Sequence, residues 1–139
     1  MRYIGLDLGT KTLGISLSSG VIATNYKTIR HNENYDYLVD EVYKIIVEKN
    51  IDRIVLGFPK NMINTIGERA NITIDFKNKL EKKTNIEVIL EDERLTSKVA
   101  NQVLIDADTS RKKRKERVDG VASVIILQSY LDRKVENGR

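Results

Sequence analysis

The apolar residues of this chain change their period, and that change limits what it can fold into. Residues 2–8 alternate: Ile4, Leu6 and Leu8 fall on one face, and Tyr3, Gly5 and Asp7 on the other. This period of two belongs to a strand. "LGISLS" (13–18) and "VIATNYKTI" (21–29) predict two more, joined through "SG" at 19–20 as a hairpin turn. An antiparallel meander should therefore open the chain. The period then becomes helical in "NYDYLVDEVYKIIVEKN", where Leu38, Val42, Ile45 and Ile46 share a face. "DRIVLGFPK" (52–60) is a short apolar strand stopped by Gly57 and Pro59. Residues 67–83 carry both signals, strand-like in "ANITIDF" and helical in "FKNKLEKKT", and the helix is preferred. "NIEVILED" (85–92) predicts a strand, "LTSKVANQVLIDA" a helix capped by Thr96 or Ser97, and "RVDGVASVIILQSYLDRKV" the last helix. Residues 106–117, "DADTSRKKRKER", read as a mobile connection.

Three strands followed by helix–strand alternation predict an α/β fold. Its five-stranded mixed sheet would have three antiparallel strands, then two parallel ones, with helices on both faces. At 139 residues this is one domain, 1–139. The chain has no cysteine, which excludes disulfides and thiolate metal sites and fits a reducing cytoplasm. Its single histidine, His31, excludes a multi-histidine zinc site, and its polar neighbours "RHNENYD" predict a solvated loop residue. No signal-peptide pattern opens the chain, and no apolar run approaches the ~20 residues that cross a membrane. Basic residues number 24 against 20 acids, a net +4 that permits a polyanionic partner without requiring one.

Where charges fall is more informative than their sum. Asp7 sits between Gly5 and Gly9 on one strand face, where missing side chains leave room for a ligand or another backbone. "EDER" (91–94) ends an apolar strand, and in open α/β sheets ligands gather at such carboxyl ends. Asp119 stands on a helix face that continues into Ala122, Ser123 and Ile126. Each has an ordinary explanation: a turn acid beside turn glycines, a solvated loop, an acid favoured by a helix dipole. Together they describe acids that could converge at one sheet edge. Converging carboxylates raise one another's pKa and are stabilised by a cation. Oxygen donors without His or Cys point to Mg²⁺ or Mn²⁺, which activate water for phosphodiester cleavage. Just before Asp119, "RKKRKER" holds six basic residues in seven: Arg111, Lys112, Lys113, Arg114, Lys115 and Arg117. Such a run is ordinarily a solvated segment; beside a metal–carboxylate site it suits phosphates, without reading sequence.

Four blocks in order resemble one family. "GLDLGTKTLGISLS", "IVLGFPKNM" followed by "GERA", "EDERLTS" and "RKKRKERVDGVASVIILQSYLD" are similar to the YqgF-type ribonuclease H-like proteins, described as Holliday junction resolvases or pre-16S ribosomal RNA nucleases. Phe58, Ile63, Asn64 and Ile66 depart from the family's usual residues, and "IDADTS" replaces a stretch that often contains glycine. The resemblance implies a ribonuclease H-like fold and an acidic, metal-holding triad at Asp7, Glu93 and Asp119. Lys11, Lys60, Asn61 and Arg94, which lie inside the quoted blocks, join the basic run as candidate nucleic-acid contacts. It implies a metal-dependent nuclease for structured nucleic acid. Precursor 16S rRNA is the favoured substrate and a four-way DNA junction the alternative. A monomer or a homodimer fits, the homodimer better for a junction. A binding module without catalysis and a nucleotide-binding lobe, suggested by "DLGTKTLG", are the remaining readings.

Overall fold

The computed structural model describes residues 1–58, 67–92 and 111–136, with residues 111–120, 135 and 136 given as backbone only. Its strands are β1 (Tyr3–Leu8), β2 (Thr12–Ser18), β3 (Ala23–Arg30), β4 (Arg53–Phe58) and β5 (Val88–Asp92), and its helices are α1 (Tyr35–Lys49), α2 (Glu68–Thr84) and α3 (Arg111–Glu136). The sheet order is β3-β2-β1-β4-β5. β1 pairs antiparallel with β2 and parallel with β4, β2 pairs antiparallel with β3, and β4 pairs parallel with β5. This is the mixed five-stranded sheet that the alternating periods predict.

The period-two pattern sorts β1 between two environments. Ile4, Leu6 and Leu8 enter a core shared with Leu38, Val42 and Ile46 of α1 and Phe76 and Leu80 of α2. Tyr3 and Val55 of β4 face the other way, against Ile126, Leu127 and Leu131 of α3. α1 starts at Asn34, whose side chain accepts from the Tyr37 N–H, and ends at Asn50 in the left-handed region (φ 55°). The ambiguous segment 68–84 is helical because Ala70, Thr73, Phe76 and Leu80 lie buried on one helix face, a pattern that no strand provides.

One expectation is corrected here. The basic run is not part of a mobile connection: helix α3 begins at Arg111, so residues 111–117 form its first turns. Lys and Arg have high helix propensity. The predicted helix 95–107 and residues 106–110 lie outside the described residues. Among the described residues no helix is long and apolar enough to cross a membrane.

Candidate active site at the carboxyl edge of the sheet

Asp7 is the next-to-last residue of β1, half-buried, and its partner in β2 is Gly14. It lies on the α3 side of the sheet, at the edge where the parallel strands β1, β4 and β5 end.

The space beside Asp7 is not all left for a ligand, as the glycine frame suggests. A Cβ on Gly5 would stand 2.4 Å from Ser16 Oγ, 2.7 Å from Leu127 Cβ and 3.1 Å from the Ser123 carbonyl oxygen. Helix α3 fills the room that Gly5 provides. Ser16 Oγ donates to the Ser123 carbonyl at 2.8 Å, a fully buried bond that ties β2 to the helix. α3 therefore lies almost on the sheet backbone at Gly5, two residues before Asp7.

The helix runs opposite to β1. The Tyr3 ring meets that of Tyr130 at a tilt (5.9 Å between centroids) and its hydroxyl meets the Lys134 ammonium, while Gly5 lies under Ser123 and Leu127. Contacts at higher strand numbers thus fall at lower helix numbers, which fixes the direction of α3 against β1.

β5 contributes a second feature. Gly57 pairs with Glu91, and the Glu91 side chain, 2% exposed, faces α3. It accepts from Ser129 Oγ (3.1 Å) and from both guanidinium nitrogens of Arg133, the Nη1 contact being 2.6 Å. The paired carboxylate, bonding first and charge second, raises the Arg133 pKa further. Glu91 is therefore a buried anchor between β5 and α3, an assignment that its place among the acids of "EDER" does not reveal.

Lys11 is exposed on the β1–β2 turn. Two further residues hold that turn, Arg69, which sequence reasoning left aside, and His31. Arg69 Nη2 donates to the Leu8 carbonyl at 3.0 Å. His31 is the second, and its expected role is corrected. It is 7% exposed, with Nε2 3.0 Å from the Gly9 carbonyl and Nδ1 accepting from the Glu33 N–H at 3.0 Å. Its polar neighbours hide this, because its partner Gly9 is remote in sequence. The one available signal for Arg69 is its place in the "GERA" block.

Of the remaining candidates, Lys60, Asn61, Glu93 and Arg94 lie outside the described residues, and Arg111, Lys112, Lys113, Arg114, Lys115, Arg117 and Asp119 are described by backbone alone. Among the described residues no group of His, Cys, Asp and Glu is assembled to hold a metal ion. What is described is an oxygen donor, Asp7, at the sheet edge, with a long helix laid antiparallel beside it.

Comparison with known proteins agrees on the family. Residues 1–133 match the family model described as RuvX: Holliday junction resolvase. The chain is 50% identical over 135 residues to a Bacillus subtilis (strain 168) protein named "Putative pre-16S rRNA nuclease", covering 95% of this chain and 98% of that one. It is 49% identical over 137 residues to a protein of the same name from Geobacillus sp. (strain WCH70), covering 96% and 99%. Among solved structures, T. thermophilus RuvC in complex with a Holliday junction substrate superposes with a TM-score of 0.64 at 10% identity, over 98% of this chain and 96% of that one. That likeness establishes the ribonuclease H-like fold. The chain belongs to the RuvX family of Holliday junction resolvases.

Proposed function

We propose that this nuclease is a single domain that hydrolyses phosphodiester bonds of structured RNA, specifically at the 5′ end of precursor 16S rRNA. In this reading Asp7, Glu93 and Asp119 hold Mg²⁺ or Mn²⁺. The observation that carries the reading is the antiparallel register of α3 on β1. Ser123 lies over Gly5. Asp7 is two residues beyond Gly5 on the same strand face, and Asp119 is one helical turn before Ser123. The antiparallel run directs Asp7 toward helix positions before Ser123, and Asp119 is the acid that stands there. Alternation favours Glu93 in the same way: Glu91 of β5 faces α3, and Glu93 follows it by two residues, the spacing that returns to the same face were the extended chain to continue past Asp92.

A site of carboxylates fits a hard divalent cation, and this chain offers no softer alternative, since it lacks Cys and its one His is engaged by backbone. When bound, the cation supplies an activated water and neutralises phosphate charge. The chain's own residues do the rest. The three carboxylates hold their position at the sheet edge. Lys11, with Lys60, Asn61, Arg94 and the basic turns of α3, binds successive phosphates and fixes the scissile bond beside Asp7. RNA is favoured over DNA by the names of the curated relatives, and precursor rRNA would place the enzyme in the cytoplasm.

The test sets both substrates against one preparation of the purified chain. A labelled RNA spanning the precursor 5′ end of 16S rRNA and a synthetic four-way DNA junction are incubated with Mg²⁺, Mn²⁺, Ca²⁺ or excess chelator. The RNA should be cut with Mg²⁺ or Mn²⁺, little with Ca²⁺, and not in chelator. Faster resolution of the junction would assign the DNA substrate instead, and full activity in chelator would remove the metal from the mechanism.

A further inference from the structure

The turn that follows Asp7 is held from outside by more bonds than its fold requires. Within the turn, the Gly9 N–H donates to the Thr12 carbonyl at 2.8 Å, which is enough to reverse the chain. Three other carbonyls accept from distant residues. Leu8 O accepts from Arg69 at the start of α2 (3.0 Å), Gly9 O from His31 Nε2 (3.0 Å), and Lys11 O from the His31 N–H (2.9 Å). The tautomer follows from the partners. The Glu33 N–H only donates, so Nδ1 accepts, and the ring proton sits on Nε2 and points at Gly9. The ring is seated against Tyr35 (5.6 Å between centroids), which in turn meets Phe76 of α2 (6.5 Å), so the clamp is anchored in the apolar core.

A glycine-containing turn is soft when left alone. Here it is fixed, and it carries an exposed lysine four residues after the carboxylate of the site. We propose that His31 and Arg69 are positioning residues for the nuclease reaction: they pin the Gly9–Lys11 turn from two sides so that Lys11 meets a substrate phosphate in register with Asp7. The proposal rests on the reading of Asp7 as part of the active site. Neither residue touches reacting atoms. Both act through backbone carbonyls on the placement of the Lys11 ammonium, and a lysine on a loosened turn loses its contact with the phosphate in ground and transition states alike.

The test is a double-mutant cycle on cleavage of the precursor RNA described above. His31→Phe keeps the ring and its seat on Tyr35 but loses both ring hydrogen bonds, whereas His31→Gln retains a donor for Gly9. His31→Phe should raise KM about tenfold with kcat changed less than about threefold, the signature of lost binding common to ground and transition states. His31→Gln should recover most of that loss. Arg69→Met should act like His31→Phe, with Arg69→Lys recovering. Lys11→Gln alone should also raise KM about tenfold, but in the His31→Phe background it should add less than about threefold, because a lysine on a loose turn has little left to lose. A purely structural role would lower Tm without this coupling. Should His31→Phe melt below the assay temperature, the Arg69 pair crossed with Lys11→Gln carries the same test. Wild-type KM in both His31→Phe and Arg69→Met, or full additivity with Lys11→Gln, overturns the proposal. Asp7→Asn separates the two layers. If it is inactive while the positioning variants behave as wild type, only this inference falls; if it still cleaves, the site itself is misassigned and both fall.

Discussion

The two faces of the sheet are built from different materials. Toward α1 and α2 the chain buries a continuous set of aliphatic side chains, with Ile4, Leu6, Ile54 and Leu56 fully inaccessible. Toward α3 the apolar cluster among the described residues is smaller, and polar groups make specific contacts: Ser16 with the Ser123 carbonyl, Glu91 with Ser129 and Arg133, and Tyr3 with Lys134. Apolar burial is nondirectional and tolerates small displacements, whereas hydrogen bonds between fixed partners do not. The first face is suited to hold the fold together. The second is suited to set one helix at one height above the sheet. Asp7 lies on that second face, with Gly5 and Tyr3, and the proposal brings Glu93 and Asp119 to it.

Breaking the chemistry without touching either face should give the largest effect. Asp7→Asn preserves size and removes the charge, so kcat should fall by roughly 10³-fold or more, about 4 kcal/mol in the barrier, with Tm unchanged within a few degrees. Cleavage kinetics and a thermal melt check this together; near wild-type turnover would remove Asp7 from the site.

The faces themselves separate next. Leu56→Ala on the aliphatic face should cost about 2–5 kcal/mol of stability while the protein that remains folded keeps its kcat. Gly5→Ala on the α3 face brings a Cβ against Leu127 Cβ, which has no freedom to rotate away, so the helix must shift. The stability loss should be smaller, about 1–3 kcal/mol, yet the loss of kcat should be larger than in Leu56→Ala. Denaturant melts paired with single-turnover rates decide it, and the opposite ranking of kcat would mean that helix height does not matter.

The smallest effect sharpens the contrast from the side away from the site. Glu81 in α2 accepts from the Val88 N–H (3.0 Å) and from Lys77 (3.1 Å), and these bonds, the backbone one first, hold its carboxyl below the usual carboxylate range. A depressed folded-state pKa adds stability above the unfolded-state value of about 4.3 that disappears as pH falls through the folded-state value. Glu81→Gln should therefore be about 1 kcal/mol less stable at pH 7, with the difference shrinking toward pH 3 and activity unaffected. A pH-independent difference would show that the charge plays no part.

What the sequence revealed follows the range of the forces involved. β1, β2, β4 and α1 were legible because half-buried elements carry their period in their own residues. The segment 68–84 was ambiguous until burial of Thr73 and Phe76 on one face decided for helix. The space at Gly5 was legible but its occupant was not, because Ser123 and Leu127 arrive from the far end of the chain. His31 and Glu91 were misjudged for the same reason: each looks solvated among its neighbours and is buried by a partner remote in sequence, Gly9 for one and Arg133 for the other. The helical state of the basic run was missed because charge density was read as mobility, while Lys and Arg favour helix.

In the proposed site Asp7, Glu93 and Asp119 meet at one cation. Replacing Mg²⁺ with Fe²⁺ and adding ascorbate and peroxide generates hydroxyl radicals at the bound ion, which cut the polypeptide only nearby. The fragments, sized by mass spectrometry, should map to three separate stretches around residues 7–9, 91–94 and 117–121, and all three should vanish together in Asp7→Asn. Cuts confined to one stretch, or cuts that persist in Asp7→Asn, would contradict a shared metal site on the α3 face.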